Sequence, residues 1–132
     1  MRTGAGFGLG FVLGLAVAWA LGRLLRDLDA VVVDGRSMAP ALEPGDRLLV
    51  ESWTYRRRAP RPGEIVLAGD PRTPRRELVK RVAALQDDRV ALRGDARLST
   101  DSRIFGPLPV SAIRWRAIVR YWPIERAAWL SR

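Results

Sequence analysis

The chain opens on an uncharged stretch, residues 3–22 (TGAGFGLGFVLGLAVAWALG), preceded by Arg2 and followed by Arg23 and Arg26. Twenty helical residues at about 1.5 Å each reach roughly 30 Å, the thickness of a bilayer's hydrocarbon layer. The pattern predicts one transmembrane helix, and it divides the chain into an anchor over 1–26 and a second region over 27–132. Two rival readings are a helix buried in a soluble core and a cleaved secretory signal, whose apolar core usually runs only about 7–15 residues. Gly6, Gly10, Gly14, Ala18 and Gly22 recur at every fourth position and share one helix face. Small residues let membrane helices approach closely, which makes this face a candidate for homodimer contact. Arg23 and Arg26, offset by Asp27 and Asp29, lean the positive-inside rule only slightly towards a cytoplasmic second region.

After Asp29 the pattern changes to short apolar runs rich in β-branched residues, at 30–33, 47–52, 64–68, 77–83, 89–94 and 116–121. Turn signals separate them: Glu43-Pro44-Gly45-Asp46, Arg61-Pro62-Gly63, Gly69-Asp70-Pro71 and Gly106-Pro107. Runs of this length with Pro/Gly punctuation predict a compact, mainly β domain. Pro109 to Ile113 fits one helical turn with proline at its first position. The segment from Trp122 to Leu130 is amphipathic enough for a short helix, whose tryptophans suit either a membrane interface or a cover for the core.

Composition narrows the chemistry. There is no cysteine and no histidine. Thiol chemistry, disulfides, a Ser/His/Asp triad and a His-ligated metal are all excluded. The formal charge is +9, carried by twenty-two arginines and a single lysine, Lys80. A basic balance suits an anionic surface, but it also describes an ordinary solvated exterior. The run Arg56-Arg57-Arg58 has no interleaved aromatics and does not make a base-stacking platform, so no nucleic-acid partner is expected.

Arginine keeps its proton in proteins, so the available bases near neutral pH are carboxylates and Lys80. A lysine serves as a base only when neutral, which burial favours. Strand alternation puts Leu78, Lys80 and Val82 on one face and Glu77 and Arg81 on the other. Lys80 therefore lies between apolar neighbours on the side expected to face the core. The competing reading is an edge lysine that snorkels to water. Among six serines, Ser37 follows the first apolar run directly, in Asp34-Gly35-Arg36-Ser37-Met38-Ala39-Pro40. A serine at a strand-to-turn junction can present its hydroxyl to a substrate and its own N–H to an oxyanion. It can equally cap local backbone, the commoner fate of a turn serine.

Four segments then carry a family resemblance. Ser37-Met38-Ala39-Pro40-Ala41-Leu42 resembles the nucleophile box of signal peptidase I, and Gly45-Asp46-Arg47-Leu48-Leu49-Val50 resembles the strand that follows it. Lys80-Arg81-Val82 resembles the box holding the general-base lysine. Gly94-Asp95 followed by Ser99-Thr100-Asp101-Ser102-Arg103-Ile104-Phe105-Gly106-Pro107 resembles the last. The short spacing from Ser37 to Lys80 is similar to that of mitochondrial inner-membrane peptidases and of nickel-type superoxide dismutase maturation proteases.

The resemblance implies a mostly antiparallel β fold and a Ser/Lys dyad, with Ser37 as nucleophile and Lys80 as base. It implies that Ser99 orients Lys80, that Asp101 and Arg103 form a supporting ion pair, and that Met38 packs beside the nucleophile. Gly35 stands where some members carry a hydroxyl donor to the oxyanion. Neither cofactor nor metal is implied. The partners implied are a precursor protein with an N-terminal leader and the lipid bilayer, in a single-pass arrangement on the cell membrane with the catalytic region outside the cytoplasm. Ala96 replaces the usual asparagine, which puts one supporting hydrogen bond in question. Two alternatives stand beside a general leader-cleaving protease. One is a maturation protease dedicated to a single precursor such as a nickel superoxide dismutase. The other is a non-catalytic, basic, membrane-tethered β module.

Overall fold

The computed structural model describes residues 5–131, with burial from residue 8 onward. Arg2 and the first two residues of the uncharged stretch lie outside the described residues. Helix α1 runs Ala5–Arg26. Its segment Gly8–Arg26 has a mean hydropathy of 1.8, and none of it is buried within the protein. Leu9, Phe11, Val12, Leu13 and Val17 are all largely exposed. That excludes the buried-core reading, because none of the described residues buries this helix. Its length and apolarity suffice to cross a membrane.

The rest is a single antiparallel sheet. Its strands are β1 (Leu28–Val32), β2 (Arg47–Glu51), β3 (Ile65–Gly69), β4 (Glu77–Gln86), β5 (Arg89–Arg93), β6 (Leu108–Pro109), β7 (Ile113–Trp122) and β8 (Ala128–Trp129). The order across the sheet is β1-β2-β7-β3-β4-β5-β6, with β8 added beside β7. The mainly β, antiparallel expectation holds, with one apolar helix ahead of it.

Strand β3 explains how the core is divided. Ile65 and Leu67 join Val33, Met38, Leu42, Leu48, Val50 and Ala117 in one cluster. Val66 and Ala68 join Val82, Val90, Leu92, Leu108 and Ile113 in another. A strand buried on both faces needs an unbroken apolar run, which is what Ile-Val-Leu-Ala supplies. In β4 only alternate positions Leu78, Lys80 and Val82 are buried, and Lys80 pairs across the ladder with Val66.

The chain departs from the sequence reading at three places. Strand β4 continues past Ala83 to Gln86 and turns back through Asp87 and Asp88, both at positive φ (46° and 61°). Gln86 then pairs with Arg89, a two-residue hairpin of the kind whose twist suits antiparallel strands. Aspartate tolerates the left-handed region better than most residues. The helix expected over Trp122–Leu130 is absent. A 3-10 turn at Ile124–Arg126 leads instead into β8, where Trp129 pairs with Val119 and Ala128 with Arg120. After Pro123 the segment has room for one turn only, and pairing with β7 satisfies more backbone groups than a second turn would. The expected turn near Pro109 is a 3-10 turn at Val110–Ala112, with Pro109 just ahead of it.

The loop between β1 and β2, which carries Ser37, is closed at its base by Asp46. Val33 donates to the Asp46 carbonyl at 2.8 Å, and Gly45 donates to the Val33 carbonyl at 2.9 Å. The buried Asp46 carboxylate accepts from Glu43 N–H at 2.9 Å and pairs with Arg126 at 2.9 Å and Arg120 at 3.5 Å. Arg120 also donates to the Ala41 carbonyl at 2.6 Å. Removing the carboxylate strands a backbone donor and two cations. Because those cations reach water in part, the expected cost of Asp46→Ala is about 2 kcal/mol, below the usual figure for a buried pair. A urea titration checks it, with a lower midpoint and an unchanged slope as the expected result.

Candidate active site

The β1–β2 loop faces the first residues of β4 across a cleft of about 450 Å3. One wall is Val31 to Met38, the other is Arg76 to Lys80 with Leu67, and the segment Leu98–Thr100 closes a third side. Ser37, Lys80 and Ser99, far apart in sequence, all line this space. No hydrogen bond joins the Ser37 hydroxyl to Lys80 Nζ among the described residues.

Backbone geometry puts Ser37 at the cleft. Gly35 has φ +80°, a left-handed conformation that costs glycine nothing and turns the chain after β1. Beyond it, Met38 and Leu42 are buried in the core, and Leu42 N–H donates to the Met38 carbonyl at 2.9 Å. These two apolar anchors hold the turn down on either side of Pro40, so Ser37 projects from a fixed segment. Met38, the residue after Ser37, places its side chain in the core cluster with Val33 and Leu42.

Lys80 is only 2% exposed. The snorkelling reading is thereby excluded, since the side chain is packed inside the protein and borders only the cleft. Burial pushes its pKa below the ordinary 10.5, the nearby Asp101 charge opposes that, and Arg76, Arg103 and Arg72 add to the lowering. Lys80 Nζ donates to Ser99 Oγ at 3.2 Å, and Ser99 donates to Asp101 Oδ2 at 3.1 Å. The direction of this chain is fixed. An ionised carboxylate only accepts, so the single hydroxyl hydrogen of Ser99 goes to Asp101 and its oxygen must accept from the amine.

Asp101 is wholly buried and stands at the N-cap of α2 (Ser102–Phe105). It accepts from Gly94 N–H at 3.0 Å, from Arg103 N–H at 3.0 Å, and from the Arg103 guanidinium at 3.0 and 2.7 Å. Burial alone would raise its pKa, but the bonds from Arg103, Gly94 and Ser99 outweigh it and hold the carboxyl well below the usual carboxylate range. The aspartate stays ionised and keeps Ser99 oriented.

Gly94 has a role that its motif did not reveal. A Cβ there would lie 1.9 Å from Ser99 Oγ and 2.4 Å from the Ser37 carbonyl oxygen. The chain after β5 thus crosses directly over the backbone of Ser37, and only glycine fits. Two residues on, Ala96 N–H donates to that same carbonyl at 2.9 Å. The asparagine-to-alanine departure leaves this bond intact, because the donor is main chain. Asp95 turns the other way and pairs with Arg81 at 2.6 Å, bracing the segment against β4.

Comparison with known proteins shows the family to which the chain belongs. A family model described as signal peptidase, peptidase S26, matches residues 7–98. The chain is 37% identical to the mitochondrial ATP-independent inner membrane protease subunit 1a of Arabidopsis thaliana, over 70% of each chain. It is 30% identical to the mitochondrial inner membrane protease subunit 1 of Xenopus tropicalis, over 74% of this chain and 71% of that one. It is 26% identical to a signal peptidase I of Leptolyngbya laminosa, over 86% of this chain and 78% of the other. With a family model that spans most of the sheet and relatives that cover most of both chains, this protein belongs to the signal peptidase, peptidase S26, family of proteases.

Proposed function

We propose that the chain is a membrane-anchored serine endopeptidase that cuts N-terminal leader segments from precursor proteins, with Ser37 as nucleophile and Lys80 as general base. One observation carries the reading: a buried amine of lowered proton affinity, oriented by Ser99, opens on the same cleft as Ser37. In this scheme residues 1–26 anchor and residues 27–132 catalyse.

The chemistry follows from the proton inventory. One N–H of neutral Lys80 is committed to Ser99, which leaves its lone pair available to the cleft. As Ser37 Oγ attacks the scissile carbonyl carbon, its proton passes to Lys80 Nζ. The tetrahedral oxyanion takes a hydrogen bond from the Ser37 N–H, while Gly35 offers no side-chain donor. The lysine ammonium then protonates the departing amine and the C–N bond breaks. Neutral again, Lys80 takes a proton from water as the water oxygen attacks the acyl ester carbon; the C–O bond to Ser37 then breaks, and the lysine ammonium returns that proton to Ser37 Oγ. Asp101 and Arg103 act at one remove, by fixing Ser99.

A cleavage assay on a panel of leader-bearing precursors tests the assignment. Ser37→Ala, Lys80→Ala and Lys80→Arg should each lower kcat/KM by about a thousandfold or more, and the Ser37→Ala/Lys80→Ala double variant should be no worse than either single one. Near-normal turnover by Lys80→Arg, which cannot supply a neutral base, would defeat the role given to Lys80.

The pH profile gives an independent check. Activity requires deprotonated Lys80, so kcat/KM should rise with pH and level off below 10.5, the ordinary lysine value. A flat profile across this range is incompatible with the mechanism.

Stability should respond in the linked sense. The unfolded chain binds the Lys80 proton more tightly than the folded one, so wild type carries a penalty at neutral pH that fades as pH rises towards 10.5. Lys80→Met, inactive but of similar length, should therefore be more stable than wild type at neutral pH. Its advantage should shrink as the pH is raised, as read by urea unfolding at several pH values.

A further inference from the structure

Asp27 is the single residue between the end of α1 at Arg26 and the start of β1 at Leu28. Its N–H donates to the carbonyls of Arg23 and Leu24 at 3.2 and 3.1 Å, which closes the helix. Its carbonyl accepts from Ser52 N–H at 3.0 Å, one step beyond the Leu28–Glu51 pair, and so begins the sheet. Its carboxylate is gripped by the segment after β2. Ser52 Oγ donates at 3.2 Å, and the two terminal nitrogens of Arg56 donate at 2.8 and 2.7 Å in a two-pronged pair. One residue thus belongs to both elements, and its side chain is held by a third segment.

Stability is a poor account of this pair. The Arg56 side chain is 54% exposed and that of Asp27 21%, and exposed ion pairs contribute little to folding. Orientation is a better account. A one-residue junction turns about only two soft dihedrals, and fixing them fixes the angle between helix and sheet. The wall of the cleft begins at Val31, four residues along β1 from the junction, or about 13 Å at 3.3 Å each. Across such an arm, a tilt of about 20° moves the cleft by roughly 5 Å relative to the helix axis. That is more than a residue of an extended substrate.

We infer that Asp27, Ser52 and Arg56 form a clamp that sets the angle between α1 and the sheet, and with it the height above the bilayer at which the cleft meets a substrate still held in the membrane by its own apolar segment. The second half of this inference rests on the protease reading; the first half does not. Asp27 and Arg56 are positioning residues and touch no reacting atom.

The absence of cysteine makes the angle measurable by paired spin labels in proteoliposomes, at Leu21→Cys on the helix and Arg114→Cys on β7. The full chain should give one narrow distance distribution. Asp27→Asn and Arg56→Gln should broaden it, Arg56→Lys should broaden it less, and Asp46→Ala, which weakens the sheet elsewhere, should not. Activity is then read on two probes made from a precursor that the panel assay shows to be cut. One is a soluble peptide spanning the cut bond, the other a lipid-embedded series with graded spacers between the apolar segment and that bond. The clamp variants should leave kcat/KM on the soluble peptide within about twofold of wild type, lower it about tenfold at the best spacer, and flatten the spacer dependence. Distributions as narrow as wild type in Asp27→Asn and Arg56→Gln overturn the clamp. An equal loss on both probes overturns its role in setting height. If the distances broaden while wild type cuts no precursor, the clamp stands and the protease reading falls.

Discussion

The site depends on keeping one amine out of water without leaving it unpaired. Lys80 is held between Leu78 and Val82 on a strand whose neighbour, β3, is buried on both faces. Desolvation of that amine is the main cause of its lowered pKa. Left alone, a buried lysine would be a liability that the fold could remove by swapping in an apolar residue. Here Ser99 accepts one of its hydrogens, Asp101 fixes the Ser99 hydroxyl, and Arg103 with the Gly94 N–H fixes Asp101. Each link is a direct hydrogen bond and each has a set direction. The amine is thus oriented by a polar chain that ends on a permanently charged guanidinium.

The same chain couples the site to the fold. Gly94 touches both Asp101, through its N–H, and the Ser37–Ser99 pair, through the space its missing side chain leaves. Ala96 ties the next stretch to the Ser37 carbonyl. The loop bearing Ser37 is meanwhile rooted by Met38 and Leu42 in the core and by Asp46 at its base. Three separate sequence regions therefore converge through main-chain contacts, so the position of Ser37 is set by backbone and does not depend on its own side-chain bonds.

Much of this was legible in the sequence because period and punctuation are local signals. The apolar runs at 30–33, 47–52, 64–68 and 89–94 fall on β1, β2, β3 and β5, and the alternation around Lys80 correctly turned it inward. The motif order brought Ser37, Lys80, Ser99, Asp101 and Arg103 to one neighbourhood, although the roles given to them remain a proposal. What escaped were features decided by contacts between distant segments. The last residues read as amphipathic for a helix, yet β7 offered them a free edge. Asp87 and Asp88 form a tight turn that lacks the usual glycine signal. Gly94 is required by a crossing chain, and Asp27 gains its meaning only from Ser52 and Arg56.

The arginine bias acquires a physical sense from the ion pairs. Among the described residues, every one involves arginine: Arg56 with Asp27, Arg58 with Glu64, Arg72 with Asp70, Arg81 with Asp95, Arg103 with Asp101, Arg116 with Glu51 and Glu64, and Arg120 and Arg126 with Asp46. A guanidinium offers two parallel donors and does not lose its charge, which suits a fixed structural partner. An ammonium is a compact point charge whose proton can be removed, which suits a base. On the proposed mechanism the chain keeps these duties apart, and the permanent charges of Arg76, Arg103 and Arg72 near the cleft further disfavour a proton on Lys80. A lysine in a two-pronged pair such as Arg56 with Asp27 would forfeit the second donor, and, on that mechanism, an arginine at position 80 would leave the cleft without a group able to exchange a proton with Ser37.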